Sequence, residues 1–263
     1  MTEPAEFRIA LGLEYDGTAY SGLQIQSNAP SIQEILNTAL SEVADEAVTT
    51  VTAGRTDTGV HASAQVMHFD TRVARTARSW IMGANSNLPA DVNVLWVKRV
   101  PESFHARFSA LSRSYEYRIL NRPVRSALLR DRRWWVYESL DVERMSMAAK
   151  GLEGEHDFSS FRASGCQAHT PVRKLQHIAV TRNADEILVA CRANAFLQHM
   201  VRNIVGSLVA VGRGEQTAEW LSEVLLARDR KLSGVTAPAQ GLCLVGVEYP
   251  PEFGVPAETG SGL

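Results

Sequence analysis

Phe7, Ile9, Leu11, Leu13 and Tyr15 alternate with smaller or polar residues, the two-residue period of a half-buried strand. From Ser31 the period changes. Ile32, Ile35, Leu36, Ala39, Leu40 and Val43 make one apolar stripe at helical spacing, and Ser31 with Glu34 has the form of a capping box that starts the helix. A glycine-rich loop, Asp16–Gly22, joins the two. Val48–Ala53 and Ala64–Phe69 read as strands flanking a loop, Gly54–Ala62. A helix over Ala77–Ala84 and a strand over Val92–Val100 complete this half.

The second half has a similar layout. Ser112–Leu120 reads as a strand with Arg113, Tyr115, Tyr117 and Ile119 on one side and Ser114, Glu116 and Arg118 on the other. Asp141–Gly151 reads as a helix, with Asp141 as its N-cap and Gly151 as its stop. Val172–Thr181 and Glu186–Arg192 form a hairpin through Asn183–Asp185. Ala195–Val211 and Thr217–Ala227 are expected helices, and Leu242–Tyr249 a last strand. Strand runs broken by single helices predict an α+β fold of two similar lobes with mainly antiparallel sheets flanked by helices. The layout divides them as 1–105 and 106–250, with 251–263 a flexible tail.

The chain has 263 residues, 45% of them hydrophobic, enough apolar material for packed cores. No apolar run approaches the ~18 residues of a membrane span, and the polar start Met1–Glu6 lacks a signal-peptide core, so a cytoplasmic protein is expected. Cys166, Cys191 and Cys243 are odd in number and far apart, which argues against a disulfide framework or a zinc ribbon. The net charge of -2 hides a pattern. Between Arg99 and Arg133 stand nine Arg against Glu102, Glu116 and Asp131, in an otherwise acidic chain. Such a segment fits a phosphate-binding surface, and equally a solvated, salt-bridged face.

The stretch Ala53-Gly-Arg-Thr-Asp-Thr-Gly-Val-His61 places a carboxylate, Asp57, between two glycines in a short loop between apolar strands, with Arg55 two residues before it. A loop held by flanking strands suits a rigid catalytic acid; an Asp that merely caps a turn has the same look. Arg132-Arg133-Trp134-Trp135 sets cations beside aromatics, for RNA contact or for a half-buried strand. His61, His68, His105 and His199 are too irregularly spread for a metal site; Phe104-His105 and His199 are expected to support loops.

Arg55-Thr-Asp-Thr-Gly-Val-His61 resembles the signature loop of the tRNA pseudouridine synthase A family. Tyr15-Asp-Gly-Thr-Ala-Tyr-Ser-Gly-Leu-Gln-Ile-Gln26 is similar to its opening motif. Phe104-His-Ala-Arg-Phe-Ser-Ala110 with Arg113-Ser-Tyr-Glu-Tyr117 is similar to its middle motif. Phe196-Leu-Gln-His-Met-Val-Arg-Asn-Ile-Val-Gly206 and Ala237-Pro-Ala-Gln-Gly-Leu242 are similar to its C-terminal motifs. Leu23 and Gln198 depart from it, standing where the family usually has Trp and often has Tyr.

The resemblance implies an isomerase that converts uridine to pseudouridine at positions 38, 39 and 40 of the tRNA anticodon arm, in an active-site cleft between the lobes. Asp57 matches the catalytic aspartate, attacking C6 of the uracil or C1′ of its ribose. Tyr115 matches the tyrosine whose ring packs against the target base, Arg202 the arginine that pairs with the aspartate, and Arg55 the arginine that fills the space of the flipped nucleotide. The implied partners are tRNA and a second copy of the chain, with no cofactor and no metal. The absence of a P-loop or a G-x-G-x-x-G after a strand agrees with a reaction that needs neither nucleotide nor redox cofactor. A non-catalytic RNA-binding protein with Asp57 as a turn residue is the alternative. A glycosidase-like hydrolase would want a second carboxylate, and none near Asp57 is an evident partner.

Overall fold

Ala10 and Gly12, the small residues inside the alternating series of the first strand, are as buried as the series itself. In the computed structural model, which describes residues 6–26 and 29–256, this strand, β1 (Phe7–Tyr15), is thus covered on both faces rather than one. Trp96 lies over Gly12, where a Cβ would come within 1.9 Å of the indole Nε1.

Helix α1 (Ile32–Ala44) begins as expected, Ser31 Oγ accepting the Glu34 N–H at 3.3 Å, and buries Ile32, Leu36, Ala39 and Leu40. Strand β2 is shorter than the expected Val48–Ala53 and covers Val51–Thr52 alone. The amides of Val48 and Thr50 leave the ladder because they donate to Ser41 Oγ (2.9 Å) and Asn37 Oδ1 (3.1 Å) on α1. Then follow β3 (His61–Thr71), α2 (Ala77–Asn87) and β4 (Val92–Val100). Strand β1 pairs antiparallel with β3 and with β4, and β2 pairs antiparallel with β3. Phe69 and Trp80, both buried, meet edge to face at 5.2 Å where α2 covers the strands.

The chain continues through β5 (Ser112–Asn121), β6 (Trp134–Val136), α3 (Val142–Lys150), β7 (Gly154–Asp157), β8 (Val172–Asn183), β9 (Glu186–Ala193), α4 (Met200–Gly212), α5 (Trp220–Ala227) and β10 (Leu242–Glu248). Strand β5 pairs antiparallel with β9, β9 with β8, and β8 with β7, while β6 adds to β5 in parallel. Arg113, Tyr115, Tyr117 and Ile119 take the buried side of β5, as their alternation predicts. Tyr117, Ile119, Phe158, Phe161, Val189, Leu208 and Leu221 are buried in this part of the chain.

Two compact units result, and the expected α+β class with mainly antiparallel strands holds in each. One takes the chain up to Leu111 and again from Leu244 on; the other is Ser112–Cys243. Against the expected 1–105 and 106–250, residues 106–111 and the last strand from Leu244 on count with the first unit, where that strand lies beside β3. Two helices start later than their apolar pattern suggests. Helix α4 begins at Met200, since His199 takes a left-handed backbone (φ 61°) and Ala195–Gln198 are not helical, though Ala195, Phe196 and Leu197 are apolar. Helix α5 begins at Trp220, whose N–H donates to Thr217 Oγ1 at 3.3 Å. Of the expected tail, Pro251–Phe253 forms a 3-10 turn and the Phe253 ring packs 5.3 Å from Phe104. Residues 1–5 and 257–263, which hold the polar start and the rest of the expected tail, lie outside the described residues.

Candidate active site

Residues 53–60 leave β2 and enter β3 as a short loop fixed at both ends. The Ala53 N–H donates to Val66 O at 2.8 Å, and the Val60 N–H closes a turn onto Asp57 O at 3.1 Å. Between them exposure alternates: Arg55 and Thr58 are exposed, Thr56 is buried and Asp57 half-buried.

Thr56 is the anchor. Its Oγ1 lies 2.7 Å from the Tyr15 hydroxyl, and its carbonyl accepts the Leu23 N–H at 3.1 Å. Gln65, wholly buried on β3, donates from Nε2 to Gly54 O at 2.9 Å and lies 3.5 Å from the same Tyr15 oxygen. The opening loop packs on this one without a side chain in the way. Gly22, at φ +101°, would put a Cβ 2.8 Å from Thr56 O, and Gly17 would put one 2.0 Å from Val60 O. The Gly17 N–H also donates to His61 Nδ1 at 3.1 Å. Asp57 and Arg55 therefore stand on a backbone held from β1, β3 and the loop after β1.

Tyr115 and Arg202 belong to the second unit. Tyr115 lies opposite Cys191 on β9, 8% exposed, with the Phe196 ring edge-on at 5.1 Å. Arg202, half-buried on α4, donates from Nε to Ala237 O at 2.7 Å while the Ala237 N–H donates back to Arg202 O at 3.1 Å. The Tyr117 hydroxyl donates to Pro238 O at 2.7 Å, so the Ala237–Leu242 motif is tied to both α4 and β5. Of the four residues read from the sequence, Arg55 and Asp57 share one loop, and Tyr115 and Arg202 share the other unit. Tyr15, Thr56 and Gln65 do not stand out in the sequence as site residues. A fully polar Gln65 between Ala64 and Val66 in a strand buried on both faces is the available signal.

Burial pushes the Cys191 thiol up to about 12 and raises the Tyr117 hydroxyl well above its ordinary range, so both stay protonated at neutral pH. The Arg132–Trp135 strip is divided in use. Arg133 Nε donates to Glu186 Oε2 at 2.7 Å, and Arg118 holds the other carboxylate oxygen at 2.8 Å. Trp134 packs against Tyr117 (6.3 Å between rings), whereas Trp135 is exposed. His105 supports its loop as expected, its Nδ1 accepting the N–H groups of Arg107 and Phe108, and His68 Nδ1 accepts the Ala106 N–H. Among the described residues no group of three or more His, Cys, Asp or Glu is placed to hold a metal ion, and no helix is long and apolar enough to cross a membrane.

The sequence profile described as tRNA pseudouridine synthase matches residues 13–109 and 148–250. Curated relatives named tRNA pseudouridine synthase A include one from Nitrosococcus oceani, 54% identical over 249 residues, covering 95% of this chain and 96% of the relative. Relatives of the same name from Coxiella burnetii and Citrobacter koseri are each 52% identical, the first over 95% of both chains, the second over 97% of this chain and 94% of its own.

Proposed function

The chain belongs to the tRNA pseudouridine synthase family, and from that premise we propose that it isomerises uridine to pseudouridine at positions 38, 39 and 40 in the anticodon arm of tRNA. In this reading the N1–C1′ bond of the target breaks, the uracil turns, and C5 bonds to C1′. A proton leaves C5 and one is gained at N1, so the formula is unchanged and no oxidant, reductant or phosphate donor is consumed. Asp57 is the nucleophile, adding to C6 or to C1′ and leaving again when the new bond has formed; a carboxylate suits both steps. The target base is out of reach while stacked, so it is flipped, and Arg55 takes the vacated space. The Tyr115 ring packs against the flipped base, and Arg202 supplies the cation that accompanies the Asp57 charge.

The observation that carries this reading is the fixed loop. Thr56 is bound by side chain and carbonyl, while beside it Arg55 is exposed and Asp57 half-buried. A binding module gains nothing from so firmly held a backbone on either side of a carboxylate, whereas a nucleophile carried on that backbone needs it. In this reading the enzyme works in the cytoplasm with its substrate, as a symmetric homodimer whose two copies extend the basic surface along the tRNA. Light scattering that gives the mass of one chain, with full activity, would exclude the dimer. For the reaction itself, the protein is incubated with an unmodified tRNA transcript and pseudouridine is mapped. Product confined to positions 38–40 is expected, and a transcript left unmodified overturns the assignment.

A further inference from the structure

In the first unit a phenylalanine is held out into solvent on a rigid turn. Phe108 is 76% exposed, yet the residues around it are fixed. His105 Nδ1 accepts the N–H groups of Arg107 and Phe108 at 3.1 and 3.2 Å, and His105 exchanges two further hydrogen bonds with Ser109, each 2.9 Å. The His105 ring lies 4.3 Å from the Phe108 ring at an angle of 33°, so one face of Phe108 is backed. Behind His105, the buried His68 ring stands at 4.9 Å and its Nδ1 accepts the Ala106 N–H at 3.1 Å. The Tyr249 hydroxyl donates to Ala106 O at 2.6 Å, and Arg8 donates to the carbonyls of Glu102 and Phe104 at 2.5 and 2.9 Å.

Such a turn fixes an exposed apolar ring that would lose less by folding back. A largely exposed aromatic ring of this kind, backed by a fixed turn, is the surface on which unpaired bases stack. Its setting is cationic, with the Arg107 guanidinium 5.4 Å from the ring centroid in the most basic stretch of the chain. It is also remote from the candidate nucleophile. His68 lies seven residues along β3 from His61, roughly 23 Å at ~3.3 Å per residue, so Phe108 stands towards the other end of that strand from the Asp57 loop.

We propose that Phe108 is a stacking platform for an unpaired base of the RNA substrate, a nucleotide other than the one isomerised. The inference rests on the reading of the chain as an enzyme acting on tRNA and adds a second contact to it. Its role is to hold the RNA in register, and it takes no part in the bond changes at the target.

The test compares the full-length protein with Phe108→Ala, Phe108→Leu and Phe108→Trp on an unmodified tRNA transcript, measuring affinity at several salt concentrations, kcat and oligomeric mass. At 76% exposure, none of the three disturbs a core. Loss of one stacked base weakens binding by roughly 5- to 150-fold, so Ala and Leu are expected to bind that much more weakly and Trp as well as wild type. All four share one salt slope, because stacking neutralises no phosphate, and all keep the same kcat at saturation. Leu binding as tightly as Phe would overturn the proposal, since a merely apolar contact tolerates it. So would unchanged affinity for Ala, or a change of oligomeric mass, which would give the ring to a contact between copies. A wild-type protein that modifies no tRNA fails the functional reading instead; an active wild type with an indifferent Phe108 fails the platform alone.

Discussion

The hydroxyl of Tyr15 and the Oγ1 of Thr56 lie 2.7 Å apart in the interior of the first unit, forty-one residues apart in sequence. This bond ties the residue next to Asp57 to the first strand, and Gln65 supports it from β3. Thr56→Val keeps the shape of the side chain and removes the bond. We expect kcat on tRNA to fall by ten- to a hundredfold, the cost of a displaced reacting group, with stability lowered by about 1 kcal/mol and tRNA affinity unchanged. Thr56→Ser restores the rate. Equal rates for Val and Ser, measured at saturating tRNA on protein shown to be folded, would mean that the bond does not position the loop.

Gly22 tests the same packing from the other side. Its φ of +101°, and the 2.8 Å that would separate an alanine Cβ at this position from Thr56 O, leave no room for a side chain. Gly22→Ala should cost roughly 1–2 kcal/mol from the backbone alone and reduce kcat, read by thermal unfolding and single-turnover assay. A variant with wild-type melting temperature and rate would show that the opening loop yields freely.

Acid should weaken the first unit through His68. Burial, with help from the Arg8 charge, lowers its pKa from 6.5 to about 4. The imidazole is neutral in the fold, while in the unfolded chain it takes up a proton below about pH 6.5. The unfolded state therefore binds more protons between pH 6.5 and about 4, and stability falls as pH drops through that window, by at most about 1.4 kcal/mol per unit. His68→Asn keeps an acceptor for the Ala106 N–H and abolishes the titration. Its melting temperature should decline less than that of wild type between pH 7 and pH 4; parallel curves would contradict the assignment.

The basic segment divides into structural and available arginines, and salt separates them. Arg125 is exposed, so Arg125→Ala should flatten the slope of log affinity against log salt by about 0.7–0.9 if it meets a phosphate. Arg133, bound to Glu186 at 2.7 Å with its side chain 11% exposed, should instead lose stability as Ala and leave the slope unchanged. A slope change for Arg133 with none for Arg125 would place the RNA surface on the other face of that strip.

Alternation and helical stripes are enough to locate most elements, because each has one face that must be buried. They misjudge β1, where Ala10 and Gly12 look like the solvent side of a strand but are buried, Gly12 making room for Trp96. They overrun α4 as well, since Phe196 and Leu197 are apolar at helical spacing yet precede a residue in the left-handed region. Strand β2 loses its start to side chains of α1, and β6 and β7 are too short to show a period. The candidates Asp57, Arg55, Tyr115 and Arg202 stand out because the motifs that carry them are local in sequence. The Tyr15–Thr56–Gln65 support is not, since it joins three segments and only the fold brings them together.

The central claim is that the Asp57 carboxylate performs the covalent step. Asp57→Asn keeps the size of the side chain and most of its hydrogen bonding but removes the charge. The decisive measurement is pseudouridine formed on an unmodified tRNA transcript by wild type and by this variant, at matched folding and tRNA occupancy. The account predicts product from wild type and none detectable from Asp57→Asn, with RNA affinity retained. Activity of the variant within tenfold of wild type would contradict it.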